Sequence, residues 1–397
     1  MLSQLFPLIK EKPLTEQVKS RDAFIYLDRC VFFFGWNEPS DKRWNRVYSL
    51  WTICTTLIAL ILLPSSMVVE YVNRFRSFSA GEFLSSFEIL MNMIGCSLKC
   101  GYIIAGYRNF QRAKWVLDQL DKRCQSDEER ASVHRHVAMG NSLYILYHFL
   151  YTTYVVTNFV GYFLVGRHAW RLYIPLLNSN ENFVVSSLAE LLLMTSVVTM
   201  QQCTDVCPII YMLQARCHIT LLRDRLEKLR SDPGKDQDEH YMDLTLCIKD
   251  HRLILDYINA LRPVFSGTIF VQFLLIGLVL GISAINVMFF SSFWTGLGTF
   301  VFMFDVCMET FPVCYLCNFI ADDCQELANC LFQSDWIEAD RRYKSTMVHF
   351  LHNLQQPIIL TAGGVFPISM QTNLSMVKLT FSVVTLVKQF NLAEKFQ

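Results

Sequence analysis

The stretch Val264–Phe304, VFSGTIFVQFLLIGLVLGISAINVMFFSSFWTGLGTFVFMF, runs for 41 residues without an Asp, Glu, Lys or Arg. At 1.5 Å rise per residue one straight helix of that length would reach about 62 Å, twice the roughly 30 Å core of a bilayer. The run must therefore fold back on itself, and Ser291–Ser292 through Thr295–Gly296 supply the turn. Two membrane helices follow from this one stretch, the second continuing past Asp305 and Glu309 to about Ile320.

Five further segments have the same character. Val47–Val69 is uncharged, Phe83–Tyr107 carries only Glu88 and Lys99, and Val137–Gly166 is uncharged over thirty residues. Phe183–Leu213 is interrupted by Glu190 and Asp205, and the last segment, Val365 to about Phe390, by Lys378 and Lys388. Seven spans result, all helical, since the alternating pattern of a β-barrel is absent. Composition agrees: 52% of residues are apolar and only 18% charged, against about 25% charged in soluble domains. The zero net charge hides a segregation into connecting segments, none basic enough to read as a nucleic-acid footprint.

Lys and Arg near the spans set the orientation. The segments on the N-terminal side hold 26 of them and the opposite segments six. The expected fold is an all-α polytopic membrane protein with its N-terminus cytoplasmic and its C-terminus extracellular. That is inverted relative to a G-protein-coupled receptor. The first span reads as an uncleaved signal-anchor, because residues 1–44 hold seven basic residues and no clean apolar leader. Residues 1–44 form a cytoplasmic segment, 45–334 hold spans one to six with long inner extensions, and 335–397 an anchor helix followed by the seventh span. Ile219, Leu222, Leu226 and Leu229 continue the fourth span inward at helical spacing until Asp232–Pro233–Gly234. Leu244, Ile248, Leu255 and Ile258 lead into the fifth. Asp335–Gln356 is a further polar helix with Tyr343, Met347 and Leu351 on one side. Pro357, Gly363–Gly364 and Pro367 separate it from the last span. Together these helices predict a cytoplasmic bundle suited to subunit contact.

Ionisable residues inside spans are functional hypotheses by default. Asp305 and Glu309 share one helical face and could tie to Lys99 or Lys378, while Lys99, Asp205 and Glu309 lie near span ends and could snorkel. Tyr147, Tyr151 and Tyr154 on the third span, Phe87, Met91 and Met93 on the second, and Met194 and Val198 on the fourth fall at comparable depth. Met and aromatic side chains with a few hydroxyls suit a small, mostly apolar ligand pocket, though each alone reads equally as helix packing. Most of the 14 cysteines sit in apolar stretches, and Cys314–Cys317 lacks the second pair of a zinc site. No GxSxG, HExxH or P-loop is present, so neither an enzyme, nor a cofactor, nor a metal site is expected. His134 and His136 read as surface residues, and the sequon at Asn373 lies inside a span.

The C-terminal third carries a more specific pattern. Trp336, Arg341–Arg342, Gln356–Pro357, the run Leu360–Ser369 (LTAGGVFPIS) and the ending Thr380–Phe390 (TFSVVTLVKQF) resemble the signature region of insect odorant receptors. The N-terminal segment, Asp250–His251–Arg252 and Leu261–Arg262–Pro263 are similar to fruit-fly members. One departure is Phe381, where that family usually has tyrosine. The resemblance implies a non-selective cation channel gated by small volatile ligands, esters among them. It implies a heterotetramer with a shared co-receptor, at the multi-pass cell membrane of the olfactory neuron's dendrite. This chain lacks the co-receptor's long insertion between spans four and five and so resembles an odour-tuning subunit. The family's pore motif places Thr380, Val384, Val387 and Lys388 at the gate, Val384 as the hydrophobic constriction. The competing readings are a gustatory-type channel subunit, a heptahelical G-protein-coupled receptor and a secondary transporter; the last would need an internal repeat.

Overall fold

The computed structural model describes residues 7–37, 45–74, 79–174, 182–356 and 358–389. A 3₁₀ turn (Ser20–Phe24) leads into α1 (Ile25–Phe33). The first span is α2 (Asn45–Leu57), a π-helical turn (Ile58–Leu62) and α3 (Leu63–Arg74). Pro64 explains that turn: it has no N–H for the carbonyl four residues back, and the wider turn removes the clash. Then come α4 (Ala80–Ala105), α5 (Tyr107–Asp121), α6 (Asp127–Leu164), α7 (Phe183–Glu227), α8 (Gln237–Phe289), α9 (Phe293–Gln333) and α10 (Arg341–Leu354). A two-stranded hairpin, β1 (Thr361–Ala362) with β2 (Phe366–Pro367), precedes α11 (Met370–Gln389). Gly363 and Gly364 make its turn at φ +60° and +71°, a region closed to most side chains. The break expected before the last span is thus a hairpin, with Pro357 outside the described residues.

Five of these rods are long and apolar enough to cross a membrane by length and composition: Asn45–Asn73, Gly81–Ala105, and the helices α7, α8 and α9. The helices α6 and α11 are not among those five but pack within the same bundle, α6 on α7 and α9, α11 on α8 and α9. The 41-residue run does fold back: α8 ends at Phe289, and Ser292 opens α9 by accepting from the Thr295 amide. Ser79–Glu82, Ser126–Glu129 and Asp236–Glu239 start α4, α6 and α8 by the same reciprocal cap. We call the end of the bundle holding the α8–α9 turn apical and the end holding α5 and α10 basal.

The centre is α7, in which every residue from Met200 to Ala215 is buried. A helix enclosed on all sides must satisfy its polar residues internally, and Gln201, Gln202, Asp205 and Gln214 fall in this stretch. Beside it α6 and α9 cross closely. A Cβ on Gly161 would lie 2.8 Å from the Trp294 carbonyl oxygen, and one on Gly298 would lie 3.2 Å from the Asn158 Cα.

At the basal end the helix extensions pack as the sequence pattern requires. Leu222, Leu226, Leu229, Leu244 and Ile258 are buried, and so are Tyr343 and Met347 of α10. The polar helix is shorter than the expected Asp335–Gln356, because Asp340 caps it by accepting from the Tyr343 amide at 2.8 Å. Arg225 of α7 clamps this region, bonding Glu129 Oε1 at 2.6 Å and Asp250 Oδ2 at 2.7 Å. Arg123 completes the clamp on Asp250 Oδ1 at 3.1 Å. His134 is not on the surface: it is buried, its Nδ1 2.9 Å from the Lys12 carbonyl oxygen, which docks the N-terminal segment. Ser20 does the same, donating to Asp121 Oδ1 at 2.6 Å while lying 3.0 Å from His218 Nε2.

Burial pushes the Asp121 carboxyl up to about 6, against the lowering effect of its two hydrogen bonds from Ser20. The folded state therefore binds this proton more tightly than the unfolded chain, whose carboxyl titrates near 3.9. The associated stability is full below about pH 4 and is lost as pH rises towards 6. Asp121→Asn removes that loss. Its melting temperature minus that of wild type, measured on purified protein in detergent, should grow between pH 4 and 7; a constant difference would refute this assignment.

Candidate functional site

The helices α4, α6, α7, α8 and α9 converge on one polar cluster in the bundle interior. Lys99 of α4 donates to Asp205 Oδ1 of α7 at 2.6 Å and to Gln272 Oε1 of α8 at 2.7 Å. Its third contact is Glu309 Oε2 of α9 at 3.3 Å. Gln201 donates to Glu309 Oε1 at 2.8 Å, Gln272 donates to Glu309 Oε2, and Asn92 donates to Gln201 at 3.3 Å. From α6, Tyr151 donates to Asp205 Oδ2 at 2.8 Å. Lys99 is 2% exposed, Asp205 4% and Glu309 3%. These three do not snorkel; they are tied to one another, so the expected pairing with Lys99 is met while Lys378 stands exposed on α11. Glu88 is likewise held, by Ser283 at 2.8 Å.

Immediately apical to this cluster lie most of the residues singled out for a ligand pocket. Tyr147, Tyr151, Tyr154, Met93, Met194 and Val198 are buried in one continuous core, with Met91 half-buried against it. Phe87 is half-buried and stacks on Phe83 at 5.9 Å between ring centroids, nearer the apical rim. The hydroxyls are less free than their sequence pattern implies. Tyr147 donates to the Met308 carbonyl at 2.6 Å and Tyr151 to Asp205. Tyr154 takes hydrogen bonds from Asn158 Nδ2 at 3.3 Å and Trp170 Nε1 at 3.4 Å, which leaves its own proton uncommitted among the described residues. Its ring packs on Phe302 of α9 at 5.3 Å. Trp170, Asn158 and Phe302 join the set without having been singled out. Only Asn158, one turn from Tyr154 on the same helix, had a signal in the spacing.

The last helix is fastened to this core at two points. Thr380 donates to the Gly277 carbonyl of α8 at 3.1 Å, and Asn373 and Thr310 of α9 bond at 3.1 Å. Asn373 is fully buried, so the sequon faces the bundle. Of the residues expected at the gate, Thr380 and Val384 are buried within the single subunit while Lys388 is exposed. The Val387 side chain lies outside the described residues.

Two further features bear on chemistry. An apical cleft of about 680 Å³ opens between the start of α4, the end of α6 and the α8–α9 turn, lined by Glu82, Ser85, Tyr162, Arg167 and Asn286. Near the base, Asp121, Cys124 and His218 present ligand-type atoms within 4.8 Å of one another. The Ser20 hydroxyl already bridges the first and last of these, and Arg225 Nη2 lies 3.8 Å from the Cys124 sulfur. A guanidinium at that position opposes a cation, so the group reads as a structural tie.

Membrane-length rods around a buried polar knot, with an aromatic and methionine-lined core above it, define the described residues as a polytopic membrane protein. Comparison with known proteins makes the class specific. The family described as 7tm odorant receptor matches residues 79–381. Odorant receptor 22a of Drosophila melanogaster is 66% identical over 397 residues, covering 100% of both chains. Odorant receptor 22b of the same species is 63% identical, again over 100% of both, and odorant receptor 42b 43% identical over 99% of each. Among solved structures, the olfactory receptor OR5 of Machilis hrabei in complex with eugenol superposes at a TM-score of 0.76, with 14% identity. It covers 94% of this chain and 99% of that one. The chain belongs to the insect odorant receptor family, whose members are seven-span, ligand-gated channel subunits.

The polar knot yields a direct expectation. Lys99→Met leaves Asp205 and Glu309 buried without their cation, a change that costs about 3–5 kcal/mol for a broken buried pair. Surface delivery, scored by labelling an epitope-tagged receptor, should collapse in this variant. It should recover in part when Asp205→Asn and Glu309→Gln are added. Normal delivery of the single variant would show that the knot does not carry the fold.

Proposed function

We propose that this chain is an odour-tuning subunit that binds a small, mostly apolar volatile in the core above the Lys99 knot. Together with a co-receptor it would then open a non-selective cation pathway lined by α11. The observation that carries this reading is the position of the aromatic and methionine set. Tyr151 bonds Asp205 of the knot on α7, and Tyr147 bonds the Met308 carbonyl of α9, next to Glu309 of the knot. Gln272 of that knot sits on α8 five residues before Gly277, whose carbonyl holds Thr380 of α11. A ligand that favours one arrangement of these side chains shifts the population of the last helix, to the extent that its affinity differs between the two states.

The apical cleft supports access from that side, and the basic residues at the basal end support a cytoplasmic N-terminus and an extracellular C-terminus. The Met93, Met91, Phe87, Met194 and Val198 surfaces would contact the ligand's hydrocarbon, and one methylene more or less changes such binding by about 1–3 kcal/mol. Val384 and Val387 would close the pore by dewetting, as a ring of apolar side chains can, which requires α11 to turn Val384 out of its packing within the single subunit. The basal bundle, α10 included, would meet neighbouring subunits of a heterotetramer, and the assembled receptor would work in the dendritic membrane of an olfactory neuron.

Voltage-clamp recording tests the reading. Cells expressing this chain with a co-receptor should pass a volatile-evoked cation current that persists when G-proteins are blocked. Cells expressing the co-receptor alone should lack that response. Dependence on G-proteins, or antibody access to an N-terminal tag on intact cells, would reject the channel reading. Met93→Ala and Met194→Ala should reorder the potency of related volatiles while surface delivery holds; an unchanged order in both would remove these residues from the pocket.

A further inference from the structure

Asp305 stands apart from every other acidic residue in the bundle interior. It is 4% exposed, and neither of its carboxyl oxygens has a hydrogen-bond partner among the described residues. A buried polar group in that state costs about 1–3 kcal/mol, so native structures supply it with a partner. The knot does not do so. Lys99, Gln201 and Gln272 spend their donors on Glu309 and Asp205, one turn further basal. On α9, Asp305 lies between Glu309 and Phe302, whose ring packs against Tyr154. Tyr147 bonds the backbone of that same helix at Met308, within one turn of Asp305. The unmet oxygens therefore belong to the same aromatic core as the proposed ligand volume. Two of the three tyrosine hydroxyls there already have acceptors, in the Met308 carbonyl and in Asp205.

Resting on the odour-receptor reading above, we propose that Asp305, as a neutral buried carboxyl, is the polar anchor of the pocket, donating its proton to the single oxygen function of an otherwise apolar ligand. Tyr154, with its uncommitted proton, is its partner across the pocket. The ligand class is a small oxygenated hydrocarbon, an ester, ketone or alcohol. The pairing of one acceptor–donor site with an apolar surround discriminates such a molecule from the alkane of equal length. It discriminates weakly between homologues differing by a methylene.

The test measures one ratio, the half-maximal concentration for an alkane over that for the ester of matched length, by voltage clamp of the subunit with its co-receptor. A ketone and an alcohol of the same length complete the panel. Asp305→Leu should reduce the ratio about tenfold, the factor expected when one hydrogen bond of roughly 1.4 kcal/mol is lost. Asp305→Asn, which keeps a donor and an acceptor, should hold it within about threefold, since an amide can make comparable bonds. If Asp305→Leu does not reach the surface, Asp305→Ala reports the same ratio. An unchanged ratio in a surface-delivered apolar variant would overturn the proposal. So would an equal loss for ester and alkane, which marks a carboxyl that holds only water or packing. A wild-type subunit silent to every compound, though delivered with its co-receptor, would instead overturn the odour-receptor reading on which the proposal rests.

Discussion

One lysine in the bundle interior constrains the arrangement of five helices. Removing an ammonium from water costs several kcal/mol even after relaxation, and two carboxylates brought in beside it cost as much again. The knot is tolerable because nearly every hydrogen-bonding site of its members is used. Lys99 meets Asp205, Gln272 and Glu309, and the amides of Gln201 and Gln272 take the remaining oxygens of Glu309. Tyr151 closes the far side of Asp205. A rotation of α4 or α9 by one residue would leave a bare charge in the buried interior. The apolar contacts around the knot would survive such a slip with modest loss, because Leu and Ile surfaces interchange readily. Register in this bundle is therefore an electrostatic matter, and the position of the pocket above the knot inherits that precision.

How much of this was legible in the sequence divides along the range of the interaction. The spans were legible because a bilayer-length apolar run is local information, and Val264–Phe304 could not be anything but two helices. The inward extensions of α7 and α8 were legible for the same reason: Leu222, Leu226 and Leu244 repeat at helical spacing. What periodicity could not supply were partners far apart in the chain. Lys99 is separated from Asp205 by 106 residues and from Glu309 by 210. Nothing in the local pattern distinguishes a lysine that snorkels from one that is fully tied. His134 reads as a surface residue in a charged segment, yet the N-terminal segment folds over it and brings the Lys12 carbonyl to its ring. The tyrosines lie on a buried face, which their spacing alone does not separate from a lipid-facing one, and two of their three hydroxyls already bond within the protein.

The same long-range contacts link the helices of the knot, and with them the proposed pocket, to the last helix. α8 is common to both, since Gln272 sits in the knot and the Gly277 carbonyl receives Thr380. α9 is the second shared element: Glu309 lies in the knot, and the adjacent Thr310 bonds Asn373 of α11. Movement of the last helix therefore cannot be independent of the helices that surround the ligand volume. Contiguity of this kind becomes coupling only where an element has two arrangements that both sites bias. The element that meets this description is α11, attached at its basal half through Asn373 and Thr380 and exposed on its opposite face at Leu374, Leu379 and Phe381. In a membrane assembly that exposed face must be covered by lipid, a neighbouring subunit or the pore.

The chemistry left inside the proposed pocket would limit what such a receptor can tell apart. Met93, Met194 and Val198 offer dispersion and shape, and flexible thioethers adapt to several outlines. With Tyr147 and Tyr151 engaged elsewhere, few polar handles remain to read a functional group, namely the Tyr154 proton and the oxygens of Asp305. A site built this way sorts molecules first by the presence of one oxygen function and only loosely by chain length, since unpaired buried polar groups penalise a mismatch more than a missing methylene does. Breadth across a homologous series, with rejection of the bare hydrocarbon, follows from how those few polar atoms are spent.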